Sequence, residues 1–348
     1  MKPKNPASAF LLFVVLSYLG ASILIGGIVF ALVDSGMSME GRLPWIIIAG
    51  QVFGFLLPLG IWLALTKDSF KRNMPRRPLG WKNILILVLL SFFIQPIANL
   101  ISSITSLFVT NDIAEIIMAL SATPWWLLIL AMAVTPGIIE ELVFRGYIQT
   151  NARGKTFAKI AIMNGFMFAL IHMNLHQFAY TFALGVFLAY VVYVTKSIWS
   201  GIIIHFIVNA TQVSLMVGTI RMQEFLEALA YNPELSPRWY NFFADAGVDL
   251  VQLTSETPTD MPVEVIAIAG VTVIAIPAAI ISVQLFRWLV KHNRTREEAF
   301  VMHVPEPEAD ELALMKDEEP AGDSGSRFRV DWCLAIVIVI WIVFVVVV

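Results

Sequence analysis

Three short strings in this chain carry residue types that apolar segments ordinarily exclude. Pro136-Gly-Ile-Ile-Glu-Glu-Leu-Val-Phe-Arg145 holds Glu140, Glu141 and Arg145; Phe168-Ala-Leu-Ile-His172 holds one histidine; His205-Phe-Ile-Val-Asn209 holds another with an amide. An ionised group in hydrocarbon costs at least about 2.5–3.5 kcal/mol on insertion scales, so each marks a candidate functional group. Glu141 and Arg145 stand at i and i+4, acid before base, and read as a mutually neutralising structural pair. Glu140 lies about 100° round the same helix, with no partner there. A glutamate beside a histidine can hold and deprotonate a water molecule. A second histidine with an asparagine can donate hydrogen bonds to a developing oxyanion. The catalytic candidates are therefore Glu140, His172, His205 and Asn209, with Glu141, Arg145 and Phe168 in support. Together they suit hydrolysis of an amide through a tetrahedral intermediate. Glu140, His172 and His205 also make a zinc set with an open position for water, so metal-free and metal-assisted activation both stand.

Other chemistries fit poorly. There is no His-Glu-x-x-His zinc helix. The near-miss to a nucleophile string, Gly322-Asp-Ser-Gly-Ser, falls in a polar segment, and no pair of membrane-embedded aspartates exists. The single cysteine, Cys333, is remote in sequence from these strings and excludes an internal disulfide.

The elements that must position these groups are membrane helices. Of 348 residues, 58% are hydrophobic and 14% charged, against about 25% charged in a soluble domain. The net charge of −3 does not suit a polyanionic partner, and no nucleic-acid role is expected. Nine apolar runs are expected to span: about 9–33, 43–66, 82–109, 124–150, 158–173, 177–195, 198–218, 263–288 and 332–348. The first is too long for a signal-peptide core and reads as a retained helix. The last rises only about 25 Å, short of a hydrocarbon core of about 30 Å. Glu140 and His172 each lie about 20 Å from the nearest basic helix end, and His205 and Asn209 lie about 14 and 20 Å from Lys196. Three helices thus place their polar groups in one layer.

Loop charge sets the expected orientation. Lys67–Lys82 holds six basic residues, Arg153, Lys155, Lys159 and Lys196 follow, and Arg287, Lys291, Arg294 and Arg296 close the series. Counting spans from a cytoplasmic N-terminus puts every cluster inside. The expected organisation is a membrane domain over 1–290, with its motif core at about 120–215 and an extracytoplasmic loop at 219–262. A polar acidic linker over 291–331 and an additional helix over 332–348 follow. Asp112–Leu120 reads as amphipathic and interfacial, and the aromatic group of Trp239, Tyr240, Phe242 and Phe243 as a short interfacial helix or cap. Trp125-Trp126 reads as belonging to an aromatic belt. Pro136-Gly137, one turn before Glu140, signals a kink, and Gly201 a close-packing position. His176 reads as an ordinary residue at a helix junction, and His292 and His303 as outside any site.

Glu140-Glu141-x-x-x-Arg145, Phe168-x-x-x-His172 and His205-x-x-x-Asn209, in that order over about residues 120–215, resemble the CAAX-processing and bacteriocin-processing (CPBP, or Abi) intramembrane proteases. The resemblance implies an all-α, eight-helix core whose motif residues line a cavity within the membrane, here with an extra C-terminal helix beyond about residue 290. It implies that Glu140 activates water with His172 as its partner, that His205 and Asn209 stabilise the oxyanion, and that Glu141 and Arg145 support them. The family is described both as metalloproteases and as glutamate-type enzymes, so Zn2+ is the one cofactor it brings into question. The expected protein is a multi-pass hydrolase of the cell membrane, in contact with lipid, cutting a hydrophobic or membrane-anchored peptide. The alternatives are a non-catalytic scaffold or bacteriocin-immunity protein of the same fold, and a proton-coupled transporter. The transporter reading would call for internal repeats, and none is present.

Overall fold

The computed structural model describes residues 6–39, 41–109, 120, 123–152, 156–254, 263–301 and 332–347. Its secondary structure is helical throughout, with no β-strand among the described residues. Apolar runs of this length leave little alternative, because a helix satisfies its own backbone groups where water cannot. In chain order these are α1 (Pro6–Asp34), α2 (Leu43–Thr66), α3 (Trp81–Thr105), α4 (Trp125–Asn151), α5 (Phe157–Ile171), α6 (Leu175–Thr195) and α7 (Ile198–Tyr231). Short helices α8 (Pro237–Asp245) and α9 (Leu250–Thr254) precede α10 (Val263–Val301) and α11 (Trp332–Val347). Among the described residues seven helices are long and apolar enough to cross a membrane: α1 to α4, α6, α7 and the stretch Ile268–Arg294 of α10. The protein is a polytopic membrane protein.

The other two expected spans are shorter. Helix α5 has 15 residues, a rise of about 22 Å, because the chain reverses at its end. Met173 adopts a left-handed conformation (φ 47°), and the Asn174 side chain accepts from the Gln177 backbone N–H at 2.9 Å to start α6. The apolar stretch of α11, Trp332–Val343, is the other.

Two expected boundaries shift. Helix α7 continues to Tyr231, past the expected end at 218. Its extension is polar yet helix-forming, with Arg221 donating to Glu224 (2.7 Å) and Gln223 to Glu227 (3.0 Å). Pairs three and four residues apart hold a helix together in water as well as in lipid. Helix α10 likewise runs on to Val301, through the first part of the segment read as a linker. Residues 112–119, the rest of that linker from 302 to 331, and Arg153, Lys155 and His303 lie outside the described residues.

The two larger of the three apolar clusters among the described residues build most of the interior. One joins the first half of α1 (Phe10, Leu11, Val14) to α2, α4, α5 and α11. The other joins α3, α6, α7 and α10 through Leu87, Leu188, Ile204 and Leu289. The seam between them closes on glycines. Gly165 and Gly185 let α5 and α6 touch: a Cβ on Gly185 would stand 2.8 Å from the Gly165 Cα. A Cβ on Gly137 would stand 3.3 Å from the backbone of Phe206, so α4 meets α7 with nothing between. Such small-residue contacts are how membrane helices gain packing without a hydrophobic driving force.

Helices α3 and α10 are also locked by a reciprocal amide pair. Asn83 Nδ2 donates to Asn293 Oδ1 and Asn293 Nδ2 to Asn83 Oδ1, each at 3.1 Å, with both residues buried. Asn83→Leu strands the Asn293 amide and is expected to lower stability by about 1–2 kcal/mol. The double variant Asn83→Leu/Asn293→Leu should recover part of that loss. Thermal unfolding in detergent measures both, and additive losses would contradict the coupling.

Candidate active site

The site is built on α4, and its backbone is irregular where the chemistry lies. The α-helical turns Thr135–Glu141 are bracketed by two π-helical segments, Leu130–Val134 and Leu142–Ile148. Each π turn widens the helix and shifts the faces that follow, a feature frequent at functional sites. Pro136 has no N–H to give the carbonyl of Met132, four residues earlier. Asn209 of α7 supplies the missing donor: its Nδ2 reaches Met132 O at 3.1 Å. Thr135 Oγ1 donates to Leu130 O at 2.7 Å, and Asn164 of α5 donates to Phe144 O at 2.6 Å. The freed carbonyls of α4 thus become its ties to neighbouring helices.

The pairing expected within α4 is present, and it reaches further. Arg145 Nη1 donates to Glu141 Oε1 at 2.8 Å, with both side chains wholly buried. Arg145 Nη2 donates to the Gly185 carbonyl at 3.1 Å, and the guanidinium lies 4.4 Å from the Phe168 ring centroid. His205 Nδ1 donates to the same Glu141 oxygen at 3.0 Å. Glu141 is therefore shared between its own helix and α7, which i,i+4 spacing alone does not reveal. A Cβ on Gly201 would collide with Glu141 Oε2, so that glycine makes room for the buried carboxylate.

Glu140 faces the other way. Its Oε1 accepts from Gln51 Nε2 of α2 at 2.9 Å. Its Oε2 is buried without a hydrogen-bond partner among the described residues and stands 3.9 Å from His205 Nε2. That gap exceeds one hydrogen bond and is shorter than two laid end to end. His172, which caps the C-terminus of α5, donates from Nδ1–H to Phe168 O at 2.7 Å. The carbonyl oxygen can only accept, so Nε2 of the neutral ring is the acceptor. The Phe168 ring packs edge-on against both imidazoles, with centroids 4.8 Å from His172 and 5.8 Å from His205.

Glu140, His172, His205, Asn209 and Phe168 all line one cavity of about 370 Å³, between α3, α4, α6 and α7. Glu141 and Arg145 lie behind its wall. His172 occupies the turn after α5 rather than the interior of a span, and the turn is what brings it to the cavity. His176, read as an ordinary junction residue, also lines the cavity, with its Nε2 2.9 Å from Ser106 Oγ. Gln51, which holds Glu140, is a residue the sequence reading passed over. Its signal was available: it is the one amide in an otherwise apolar second span, but a count of ionisable groups does not register it.

The residues present do not fit a zinc ion. Among the described residues no three His, Cys, Asp or Glu side chains converge as a metal site requires. Two ligands on a tetrahedral zinc at about 2.0–2.1 Å would stand about 3.3 Å apart, against 3.9 Å between Glu140 and His205.

The fold is that of a polytopic membrane protein whose candidate residues meet at a cavity between helices. Residues 122–211 match the family described as type II CAAX prenyl endopeptidase Rce1-like. The matched segment runs from before α4 into α7 and carries all seven site residues. The match is consistent with an intramembrane protease of the CPBP family and supports a CAAX-type endopeptidase in general. No curated protein and no solved structure matches.

Arg145→Ala removes the cation from a buried carboxylate and is expected to cost about 3–5 kcal/mol. Thermal unfolding in detergent measures it. A variant as stable as the parent would show that Glu141 does not depend on Arg145.

Proposed function

We propose that the protein is an intramembrane endopeptidase that hydrolyses a peptide bond of a hydrophobic or membrane-anchored substrate with water activated by Glu140. The observation that carries this reading is the buried Glu140 Oε2, unpartnered among the described residues, 3.9 Å from His205 Nε2 and on the same cavity as His172 and Asn209. A water molecule held by Glu140 and His172 Nε2 gives its proton to the carboxylate as its oxygen attacks the scissile carbonyl carbon. Charge then develops on the carbonyl oxygen. His205, when it carries both protons, directs Nε2–H at that oxygen while Nδ1–H stays on Glu141, and the second N–H of the Asn209 amide assists. Collapse of the intermediate breaks the C–N bond. Glu140 passes its proton to the leaving nitrogen, and a carboxylic acid and an amine result.

The electrostatics support these roles. Glu140, His205, Glu141 and Arg145 form a line in which acid and base alternate. The Glu141–Arg145 pair at 2.8 Å sets a carboxylate against a guanidinium and so buries no net charge in the apolar interior. Every step uses protein side chains alone, which makes the glutamate-type mechanism the proposal. We place the N-terminus and the basic loops in the cytoplasm on the distribution of lysine and arginine.

Glu140→Gln is nearly isosteric and keeps a partner for Gln51, yet cannot take a proton. It is expected to lower cleavage by about 10²-fold or more, with protein abundance unchanged. His172→Ala should do likewise, and membranes from cells carrying either variant should accumulate uncut precursor proteins. Unchanged cleavage in both would rule out Glu140 and His172 as the water-activating pair, whereas a biological effect fully retained in both with no cleavage by any form would leave a non-catalytic scaffold as the reading. Cleavage by the purified protein should also withstand a strong zinc chelator. Loss of activity that returns on adding Zn2+ would replace the glutamate-type mechanism with a metallo-type one.

A further inference from the structure

Helix α7 reaches the cavity at His205, and its first residue, Ile198, lies about 10 Å before that point along the helix axis. A second feature is built at this end of the bundle. Residues 67–80 join α2 to α3 as a strap whose inner side grips the last turns of α4. Asn73 Oδ1 accepts from Asn151 Nδ2 at 2.6 Å, and the Asn73 carbonyl accepts from Thr150 Oγ1 at 3.3 Å. Met74 is buried against Gly146, where a Cβ would find no room. The strap then pairs with the turn between α6 and α7. Ile198 N donates to Pro75 O at 2.7 Å and Arg77 N to Lys196 O at 3.0 Å, on either side of an antiparallel bridge between Arg76 and Ser197. Arg76, Arg77 and Lys196 therefore start from adjacent backbone positions.

Like charges on neighbouring extended segments repel, and nothing on the protein relieves the repulsion here. Asp68 is the one acid between residues 67 and 82, and Arg72 engages it. Among the described residues no carboxylate pairs with Arg76, Arg77 or Lys196. Arg76 and Lys196 are exposed. The positive end of α7 adds to the field, because the Ser197 side chain makes no capping hydrogen bond and a helix N-terminus favours an anion such as phosphate.

The surroundings indicate the source of that anion. Trp199, Tyr193 and Trp81 are 56%, 45% and 69% exposed, and each lies three or four residues from one of the cations. The Lys196 Nζ stands 4.3 Å from the Tyr193 ring centroid. Exposed tryptophan and tyrosine at the ends of membrane helices belong at headgroup level. The cations thus stand beside lipid phosphates and not in open water.

We infer that Arg76, Arg77 and Lys196, with the N-terminus of α7, form a binding site for the headgroup phosphate of an anionic phospholipid. The bound lipid relieves the repulsion across the bridge and so ties the strap to α7 and, through Asn73 and Met74, to α4. The inference stands apart from the peptidase reading.

The test uses the full chain purified in a neutral detergent and titrated with phosphatidylglycerol, followed by native mass spectrometry and thermal unfolding. Phosphatidylglycerol should bind and raise the melting temperature. Phosphatidylcholine carries the same phosphate without net charge and should bind about tenfold or more weakly. Inorganic phosphate and glycerol 3-phosphate, which bring no acyl chain to the aromatic residues, should do neither. Arg76→Gln and Lys196→Gln should each weaken phosphatidylglycerol binding about fivefold, the contribution of one cation near an anionic surface. Lys67→Gln and Lys71→Gln remove the same charge away from the bridge and should change binding less than about twofold. Equal binding of the two lipids, or equal loss in the two pairs of variants, would overturn the site. Free phosphate bound as tightly as the lipid, or a polyglutamate peptide bound more tightly, would overturn it as well. The comparison of lipids on the parent protein decides the matter even where a variant fails to fold.

Discussion

The structure depends on one carboxylate oxygen, Glu141 Oε1, which accepts from Arg145 and His205 at once. In a low-dielectric interior neither the acid nor the guanidinium is tolerable alone. Their pairing within α4 makes the helix electrically acceptable there, and the second bond, to His205, fixes α7 against it. That bond also decides which face of the imidazole reaches the cavity: with Nδ1 committed, Nε2 is the nitrogen presented to Glu140. The adjacent glutamates divide the work by direction, one holding the frame and the other meeting the cavity.

The same economy governs the backbone. Pro136 and the π-helical turns on either side of Glu140 and Glu141 release carbonyl groups that a regular helix would have satisfied. Asn209 and Asn164 take up two of them from α7 and α5. Asn209 is thus a tie between helices as well as a cavity residue, and its two amide hydrogens make the roles compatible. Glycines at 137, 165, 185 and 201 matter for the room they leave: a methyl group at any of them would meet a neighbouring backbone or the Glu141 carboxylate. The irregular helix, its side-chain ties and the close crossings form one device that holds polar groups still inside an apolar body.

Much of the candidate site was legible from the chain alone. Ionisable residues in apolar runs are so costly that three such strings in succession identify themselves, and the i,i+4 relation of Glu141 to Arg145 follows from helix geometry. Less legible were the uncharged polar residues. Gln51, Asn99 and Gln212 are tolerated in membrane helices at small cost, so their presence alone carries a weak signal. The choice between metal-free and metal-assisted water activation shows a related limit, since composition names potential ligands but not whether their lone pairs converge. Helix ends were also misread where polar sequence stays helical, as in α7 beyond residue 218, because hydropathy reports the solvent and not the backbone.

What the sequence determined by itself is therefore the class of fold, the helices that carry chemistry and the identity of the charged groups, all consequences of the cost of polarity in lipid. What only the tertiary structure decided is which atom faces which. The turn at Met173 brings His172 to the cavity, His205 divides its two nitrogens between two glutamates, and Gln51 arrives from α2 to hold Glu140. Each is a contact between residues distant in the chain. Its geometry follows from how helices cross, and helix crossing is set by small residues and packing that no local spacing rule contains.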